Sequence, residues 1–121
     1  MPAPVVHFEI GVRNVQQTKK FYAQLLGWEF SPYGESQMVS NVGPMAGTPG
    51  IGGHLNQLGH PPHNYCLVYA QVEDLAKTIA QAQQLGGKQL VPPTEVPNMG
   101  TFAWLADPEG TIVGLWKPMN A

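Results

Sequence analysis

His7 and Glu9 are the first residues whose types and spacing could do chemistry. They lie in the segment Val5–Val12, where apolar and polar side chains alternate, and this pattern predicts a strand with one buried face. The apolar face carries Phe8, Ile10 and Val12, whereas the other face carries His7, Glu9 and Gly11. An imidazole and a carboxylate on one face of a strand can bind a metal ion together or transfer a proton.

A predicted helix follows this strand and must position it. Asn14 is expected to cap the helix, with Gln17 completing a capping box, and Gly27 is expected to end it in a left-handed conformation. The predicted apolar face of the helix consists of residues at helical spacing, with Phe21 beside them: Val15, Thr18, Tyr22, Leu25 and Leu26. Because this face would pack against the apolar face of the strand, His7 and Glu9 should point away from the helix.

The strand–helix pattern recurs later in the chain at a nearly constant offset. The segment Tyr65–Val72 predicts a second strand, and a second helical pattern follows it. The two expected N-caps, Asn14 and Asp74, are 60 residues apart, and the glycines that end the helices, Gly27 and Gly86, are 59 residues apart. Two modules of about 60 residues therefore fill the chain.

Three short extended segments follow each predicted helix. They are Trp28–Pro32, Gln37–Val42 and Ile51–Gln57 in the first module, and Gln89–Val91, Thr101–Ala106 and Thr111–Lys117 in the second. The sequence Asp107–Gly110 predicts a tight turn between the last two segments, and the prolines of Val91–Pro97 predict an edge strand or a loop. We therefore expect one α+β domain, residues 1–121, made of two tandem strand–helix–strand–strand–strand modules, residues 1–58 and 64–121, whose mixed sheets curve into a cup.

Composition excludes several classes of protein. With 43% hydrophobic and 12% charged residues, the chain can bury a core. A net charge of -2 argues against nucleic acid and anionic membranes as partners. No apolar run reaches the roughly 20 residues that span a bilayer, and the N-terminus lacks the pattern of a signal peptide. The single cysteine, Cys66, cannot form an internal disulfide, so we expect a cytoplasmic location. The position of Cys66 in its strand predicts that it is a small core residue.

Three stretches of the chain carry a family resemblance: HFEIGVRNVQQTKKFYAQLLGWEF, LGGKQLVPPTEV and FAWLADPEGTIVGLW. They resemble the glyoxalase/bleomycin-resistance/extradiol-dioxygenase superfamily, also called vicinal oxygen chelate proteins. The resemblance implies two paired modules that form an open cup, small-molecule substrates with adjacent oxygens, and a homodimer. In metal-dependent members, four side chains from the first and last strands of the two modules hold a divalent ion.

The resemblance places these four ligand positions at His7, His54, Leu67 and Gly114. Leucine and glycine offer no side-chain donor atom, so the usual four-ligand metal site is not expected. Glu9 is the remaining candidate ligand. With His7 and His54 it would form a set of two histidines and one carboxylate, the type that holds iron or zinc with open positions.

Three roles for His7 and Glu9 stay open at this point. They could bind a divalent metal ion with His54, line a cleft as hydrogen-bonded polar groups, or act as catalytic residues that transfer a proton without a metal. Gly114 is expected to leave room for a ligand. The candidates for ligand binding are His54 and five residues that alternation along the strands adds: Asn56, Tyr65, Tyr69, Gln71 and Trp116.

Two functions therefore fit the sequence. The first is a glyoxalase- or bleomycin-resistance-like protein that binds a small organic molecule without a resident metal ion or other cofactor. The second is a metal-dependent lyase, isomerase or dioxygenase that uses His7, Glu9 and His54. In both cases the expected partners are a small-molecule ligand and a second copy of the chain.

Overall fold

The computed structural model describes residues 2–40, 50–58 and 64–119. Contacts within the chain divide it into two compact units, which we call the first unit, His7–Cys66, and the second unit, Met1–Val6 with Leu67–Ala121. The elements are β1 Val5–Gly11, α1 Val15–Leu26, β2 Glu29–Tyr33, β3 Ser36–Ser40, β4 Gly52–Asn56, β5 Tyr65–Gln71, α2 Leu75–Gln84, β6 Lys88–Val96, β7 Gly100–Ala106 and β8 Ile112–Pro118. The order strand–helix–strand–strand–strand thus occurs twice, and the predicted α+β fold class is confirmed.

The first unit contains the strand order β2-β3-β4-β1. The strands β1 and β4 run parallel, whereas β3 is antiparallel to both β2 and β4. Its core holds Val12, Val15, Val39 and Leu55, with Phe8, Ile10, Tyr22, Trp28 and Phe30 packed against them. The apolar face of β1 therefore packs with α1, as the alternation predicted.

The second unit contains the strand order β5-β8-β7-β6, with β5 and β8 parallel and the other pairs antiparallel. Its core holds Leu75, Ile79, Ala103, Leu105 and Leu115. The strand β6 lies at an edge and its pairing with β7 shifts register between Gln89 and Val91 and again between Val91 and Thr94. This confirms the prediction that the proline-rich segment lies at an edge. The physical reason is that proline has no N–H to donate to a neighbouring strand.

Local sequence signals set the ends of the helices. The side chain of Asn14 accepts from the backbone N–H of Gln17 at 3.0 Å, and Asp74 accepts from Lys77 in the same way at 3.0 Å. Gly27 ends α1 with a φ of 72° and donates its N–H to the Ala23 carbonyl. Asn14, Asp74 and Gly27 therefore act as predicted. The prediction that Gly86 ends the second helix is off by one residue, because Leu85 is the cap of α2 and Gly86 follows it with a φ of 96°.

Two predictions about burial are wrong. Cys66 is exposed rather than part of the core, because β5 buries its opposite face, where Leu67 and Tyr69 are only 4% and 5% exposed. The C-terminal half of the predicted apolar face of α1 is also exposed, since Phe21 and Leu25 keep 55% and 63% of their surface. Only Val15 of α1 is fully buried. Within the described part of the chain, neither helix has the length and apolar character needed to cross a bilayer.

Candidate functional site

The first unit brings His7, Glu9 and His54 together, because the parallel pairing of β1 and β4 sets Glu9 directly opposite His54. The distance from His7 Nε2 to His54 Nδ1 is 2.7 Å, and the distance from His54 Nε2 to Glu9 Oε1 is 3.3 Å. His54 therefore bridges the other two side chains through its two ring nitrogens. The convergence that was predicted for these three residues is present in the structure.

Glu9 is the buried end of this cluster, with 2% of its surface exposed. Its Oε2 accepts a hydrogen bond from the Tyr65 hydroxyl and another from Asn56 Nδ2 at 3.3 Å. Ser36 in turn donates from Oγ to Asn56 Oδ1 at 3.4 Å. Both carboxylate oxygens of Glu9 thus have a partner, which offsets the cost of removing this group from water.

Tyr65 can reach Glu9 because Gly11 leaves space for its ring. A Cβ atom at Gly11 would lie 1.8 Å from Tyr65 Cε2, so the ring occupies the volume that any other residue at position 11 would need. Asn56 Nδ2 also lies 3.4 Å from the Tyr65 hydroxyl oxygen. Asn56 and Tyr65 were predicted to bind ligand, and in the structure both hold Glu9.

Burial shifts the pKa values of His7 and Tyr65. The pKa of His7 is lowered from 6.5 to about 4, mainly by burial and also by its neighbour His54, while Glu9 opposes this shift. Burial and the hydrogen bond to Glu9 raise the pKa of Tyr65 far above its usual value. His7 is therefore a neutral imidazole, and Tyr65 a neutral hydrogen-bond donor, near pH 7.

The other predicted ligand-binding residues, Tyr69, Gln71 and Trp116, lie in the second unit. Gln71 and Trp116 are register partners on β5 and β8, and Tyr69 is 5% exposed. The Tyr69 hydroxyl accepts a hydrogen bond from Trp104 Nε1 at 2.8 Å. A Cβ atom at Gly114 would lie 2.3 Å from the Tyr69 ring, so this ring, and not a ligand, fills the space that was predicted to be open.

The residues present do not fit a metal ion as they are arranged. Of the four positions implied by the resemblance, Leu67 and Gly114 have no donor atom. Across the described ranges, no three His, Cys, Asp or Glu side chains are placed to hold a metal. Nitrogens of two histidines bound to one zinc ion lie about 3.3 Å apart, given bonds of about 2.0–2.1 Å in tetrahedral geometry. The ring nitrogens of His7 and His54 lie 2.7 Å apart, which is a hydrogen-bond distance.

Two residues that hold candidate side chains, one in each unit, were not predicted from the sequence. Ser36 and Trp104 carry no motif or spacing signal, and each acts by holding another side chain rather than by lining a predicted face. Their roles follow from strand register, which pairs β3 with β4 and β7 with β8. The turn at Asp107–Gly110 predicted the pairing of β7 with β8, but the sequence contained no comparable signal for the pairing of β3 with β4.

Comparison with known proteins places the chain among glyoxalase-like proteins. A family profile described as "Glyoxalase/Bleomycin resistance protein/Dioxygenase superfamily" matches residues 5–115. A Mycobacterium bovis protein named "Putative glyoxylase CFP32" is 36% identical over 73 residues, which cover 60% of this chain and 28% of that relative. The chain thus spans about a quarter of the length of that relative. A glyoxylase-like domain-containing protein of Didymella fabae is 27% identical over 110 residues, which cover 84% of each chain.

Solved structures share the fold at low sequence identity. Streptomyces coelicolor methylmalonyl-CoA epimerase in complex with 2-nitronate-propionyl-CoA has a TM-score of 0.70 at 14% identity and covers 98% of this chain and 99% of its own. The Mn(II)-bound glyoxalase of Novosphingobium aromaticivorans has a TM-score of 0.67 at 15% identity, covering 96% of this chain and 39% of its own. At such identities the likeness shows the fold alone.

Proposed function

Since the chain belongs to the glyoxalase/bleomycin resistance protein/dioxygenase superfamily, we propose that it binds a small organic molecule at the His7–His54–Glu9 cluster and that no resident metal ion takes part. Methylmalonyl-CoA epimerase, which shares the fold, has been solved with CoA derivatives bound. This supports a small-molecule ligand for the present chain. It does not identify that ligand, because fold and substrate vary independently.

The observation that carries the metal-free part of the proposal is the double use of His54. Its Nδ1 faces His7 at 2.7 Å and its Nε2 faces Glu9 at 3.3 Å. Glu9 is further held by Tyr65 and Asn56 through its other oxygen. Binding a metal ion through His7, His54 and Glu9 would require breaking this network and turning at least one ring, so the network competes directly with a metal.

Metal content is the first test. Protein purified without chelators should contain less than stoichiometric divalent metal by elemental analysis. Added Mn²⁺, Zn²⁺ or Fe²⁺ should leave its melting temperature unchanged, since a ligand that binds only the folded state would raise it. Stoichiometric metal that is lost in both His7→Ala and His54→Ala would instead eliminate the metal-free function and favour the second one, a metal-dependent lyase, isomerase or dioxygenase that uses His7, His54 and Glu9.

Ligand binding is the second test. A library of small aromatic and carbonyl compounds should contain molecules that raise the melting temperature of the wild-type protein and shift the NMR signals of His7 and His54. His7→Ala should abolish both effects. Glu29→Gln, which changes an exposed carboxylate on β2, is the matched control and should bind as the wild type does. A library without hits in the wild type would contradict the binding function.

Two further properties belong to the same proposal, a homodimer, which the resemblance implies, and a cytoplasmic location, which the cysteine content suggests. We expect a homodimer, which sedimentation equilibrium at micromolar concentration would detect as a doubled mass. We also expect the protein to act in the cytoplasm, where its single cysteine would stay reduced. A monomeric mass across that concentration range would contradict the first of these expectations.

A further inference from the structure

Three strands of the second unit line a cavity of about 220 Å³ on the face of the sheet that packs against α2. Glu95 on β6 pairs with Thr101 on β7, and Thr101 pairs with Lys117 on β8. Because directly paired residues of neighbouring strands point to the same face, the three side chains form a row across the sheet. Thr101 and Lys117 lie two residues from Ala103 and Leu115, which belong to the core under α2, so the row lies on the same face as that core.

The row carries one charge of each sign, and the two charged side chains stand on either side of Thr101. Neighbouring strands of a sheet lie about 4.8 Å apart, so the backbones that carry Glu95 and Lys117 are about 10 Å apart. Among the residues that the structure describes, the side chains of Glu95 and Lys117 form no ion pair and no hydrogen bond, either with each other or with a third residue. Both charged groups are therefore available to a ligand that enters the cavity.

Lys117 is the group with more to gain from such a ligand. It is partly buried, whereas Glu95 is exposed. Taking an ammonium group out of water is costly unless an acceptor replaces the lost water. The carboxylates in the described part of the chain lie too far from Lys117 to form an ion pair with it. A ligand carboxylate would supply that acceptor through a charge-assisted hydrogen bond.

Apolar side chains complete the cavity. Val96, Pro118 and Met119 add apolar walls beside the charged row. The backbone N–H of Met119 donates to the Met99 carbonyl at 2.8 Å, which holds this wall beside the turn between β6 and β7. Pockets that hold drug-sized ligands measure roughly 300–1,000 Å³. A volume of about 220 Å³ therefore suits a smaller molecule, of the size of a single amino acid.

We propose that this cavity binds a free α-amino acid with an apolar side chain. The ligand carboxylate accepts from the Lys117 ammonium group, the ligand ammonium group donates to the Glu95 carboxylate, and the Thr101 hydroxyl hydrogen-bonds between them. The two charged groups of an α-amino acid are bonded to one carbon atom, so they fit between opposite charges that flank a single strand. The apolar side chain of the ligand contacts Val96 and Met119. All of these residues belong to the second unit, so the site goes beyond the function proposed for the His7–His54–Glu9 cluster.

A set of matched ligands tests the recognition on the wild-type protein alone. L-leucine should produce saturable shifts of the backbone amide signals of Thr101 and Lys117 in proton–nitrogen NMR spectra. Leucinamide lacks the carboxylate and isocaproate lacks the ammonium group, so each should bind about tenfold more weakly or worse. The leucine isomer ε-aminocaproate has both charges at opposite ends of its chain and should also bind more weakly. Absence of saturable shifts with leucine, or equal or tighter binding of any of the other three compounds, would overturn the proposal.

Charge-removing variants test the residues. Lys117→Gln and Glu95→Gln should each weaken leucine binding by about tenfold. Lys88→Gln and Glu109→Gln remove the same charges from exposed positions outside the cavity and should bind leucine as the wild type does. The amide spectrum of each variant shows whether it is folded. Equal affinity of all four folded variants for leucine would contradict the roles of Glu95 and Lys117.

The position of the shifts separates this site from the proposed function. Leucine should leave the ring signals of His7 and His54 unchanged. Leucine shifts confined to those histidines would assign leucine to the first unit and overturn the site in the second. If leucine does not bind while library compounds shift the histidine signals, the proposed function stands and the amino-acid site fails.

Discussion

At the residue scale, two glycines make room for tyrosine rings. Gly11 lies under Tyr65 in the first unit, and Gly114 lies under Tyr69 in the second. In both cases the ring lies where a Cβ atom would be, and the tyrosine hydroxyl takes part in a polar contact, with Glu9 or with Trp104. These glycines therefore act by the space they leave, which lets an aromatic side chain lie flat on the neighbouring strand.

Gly11→Ala should disturb the site although it substitutes none of the polar side chains. The added methyl would lie 1.8 Å from Tyr65, so the ring must move and its hydrogen bond to Glu9 is lost. We expect a loss of about 1–3 kcal/mol in the free energy of unfolding, measured by urea denaturation. The control is Gly52→Ala on β4, where the nearest heavy atom to the new methyl is 3.4 Å away. Equal stability of the two variants would contradict this account of Gly11.

Part of the site was predictable at this scale and part was not. The shared face of His7 and Glu9 follows from strand alternation, and His54 was found through the family resemblance, which located the fourth strand of the module. The role of Tyr65 was not predictable, because an aromatic residue on a strand face gives the same pattern whether it binds a ligand or orients a carboxylate. The difference depends on Gly11, which is distant from Tyr65 in sequence.

At the element scale, the hairpin between β7 and β8 is built by Asp107. Its carboxylate accepts from the backbone N–H of Glu109 at 2.9 Å and from that of Thr111 at 3.0 Å. The backbone adds two bonds, from Asp107 N to the Thr111 carbonyl and from Gly110 N to the Asp107 carbonyl. Gly110 supports the turn with a φ of 91°, which glycine adopts without steric cost. The predicted tight turn is confirmed.

Asp107→Ala should therefore destabilise the protein, although the residue is exposed. Two backbone donors lose their partner, and we expect a loss of about 1 kcal/mol in the free energy of unfolding. Glu109→Ala removes a carboxylate from the same turn but leaves the Asp107 bonds intact, so it should change stability by less than about 0.5 kcal/mol. Urea denaturation of the two variants measures the difference, and the reverse order of stabilities would contradict the assignment.

Elements were predictable where their signals are local. Caps such as Asn14 and Asp74 and the turn at Asp107 act on groups within a few residues, so the sequence contains the whole interaction. The burial of β5 was not predictable in this way. Its two faces both carry apolar side chains, and only packing decides that Leu67 is buried while Cys66 is exposed.

At the scale of the whole molecule, corresponding positions of the duplicated pattern carry different side chains in the two copies. Positions that contain His7, Glu9 and His54 in the first module correspond, 60 residues later, to Leu67, Tyr69 and Gly114. The first unit thus holds a buried carboxylate and two histidines, while the second unit holds an apolar residue and a tyrosine packed on glycine. We infer that the duplication preserves the fold, because strand and helix patterns repeat, and leaves the polar network specific to the first unit.

His7 links this network to the stability of the whole protein. Its pKa is about 4 in the folded state and 6.5 in the reference state, so between these values the unfolded chain binds a proton that the folded protein does not. Since stability rises with pH wherever the unfolded state binds more protons, the contribution of His7 is fully present above pH 6.5 and is lost as the pH falls towards 4.

We expect His7→Gln to remove this dependence, because glutamine can still hydrogen-bond to His54 but does not titrate. As the pH falls from 6.5 to 4, the free energy of unfolding should fall less in the variant than in the wild type. The difference should be on the order of 2 kcal/mol after solvent screening of this half-buried ring. Urea denaturation of both proteins at several pH values across this window measures the difference. The two proteins share the same carboxylates, so the contribution of these groups to the pH dependence cancels in the difference. Parallel curves for the two proteins would mean that His7 titrates alike in the folded and unfolded states, and would contradict the lowering of its pKa by burial.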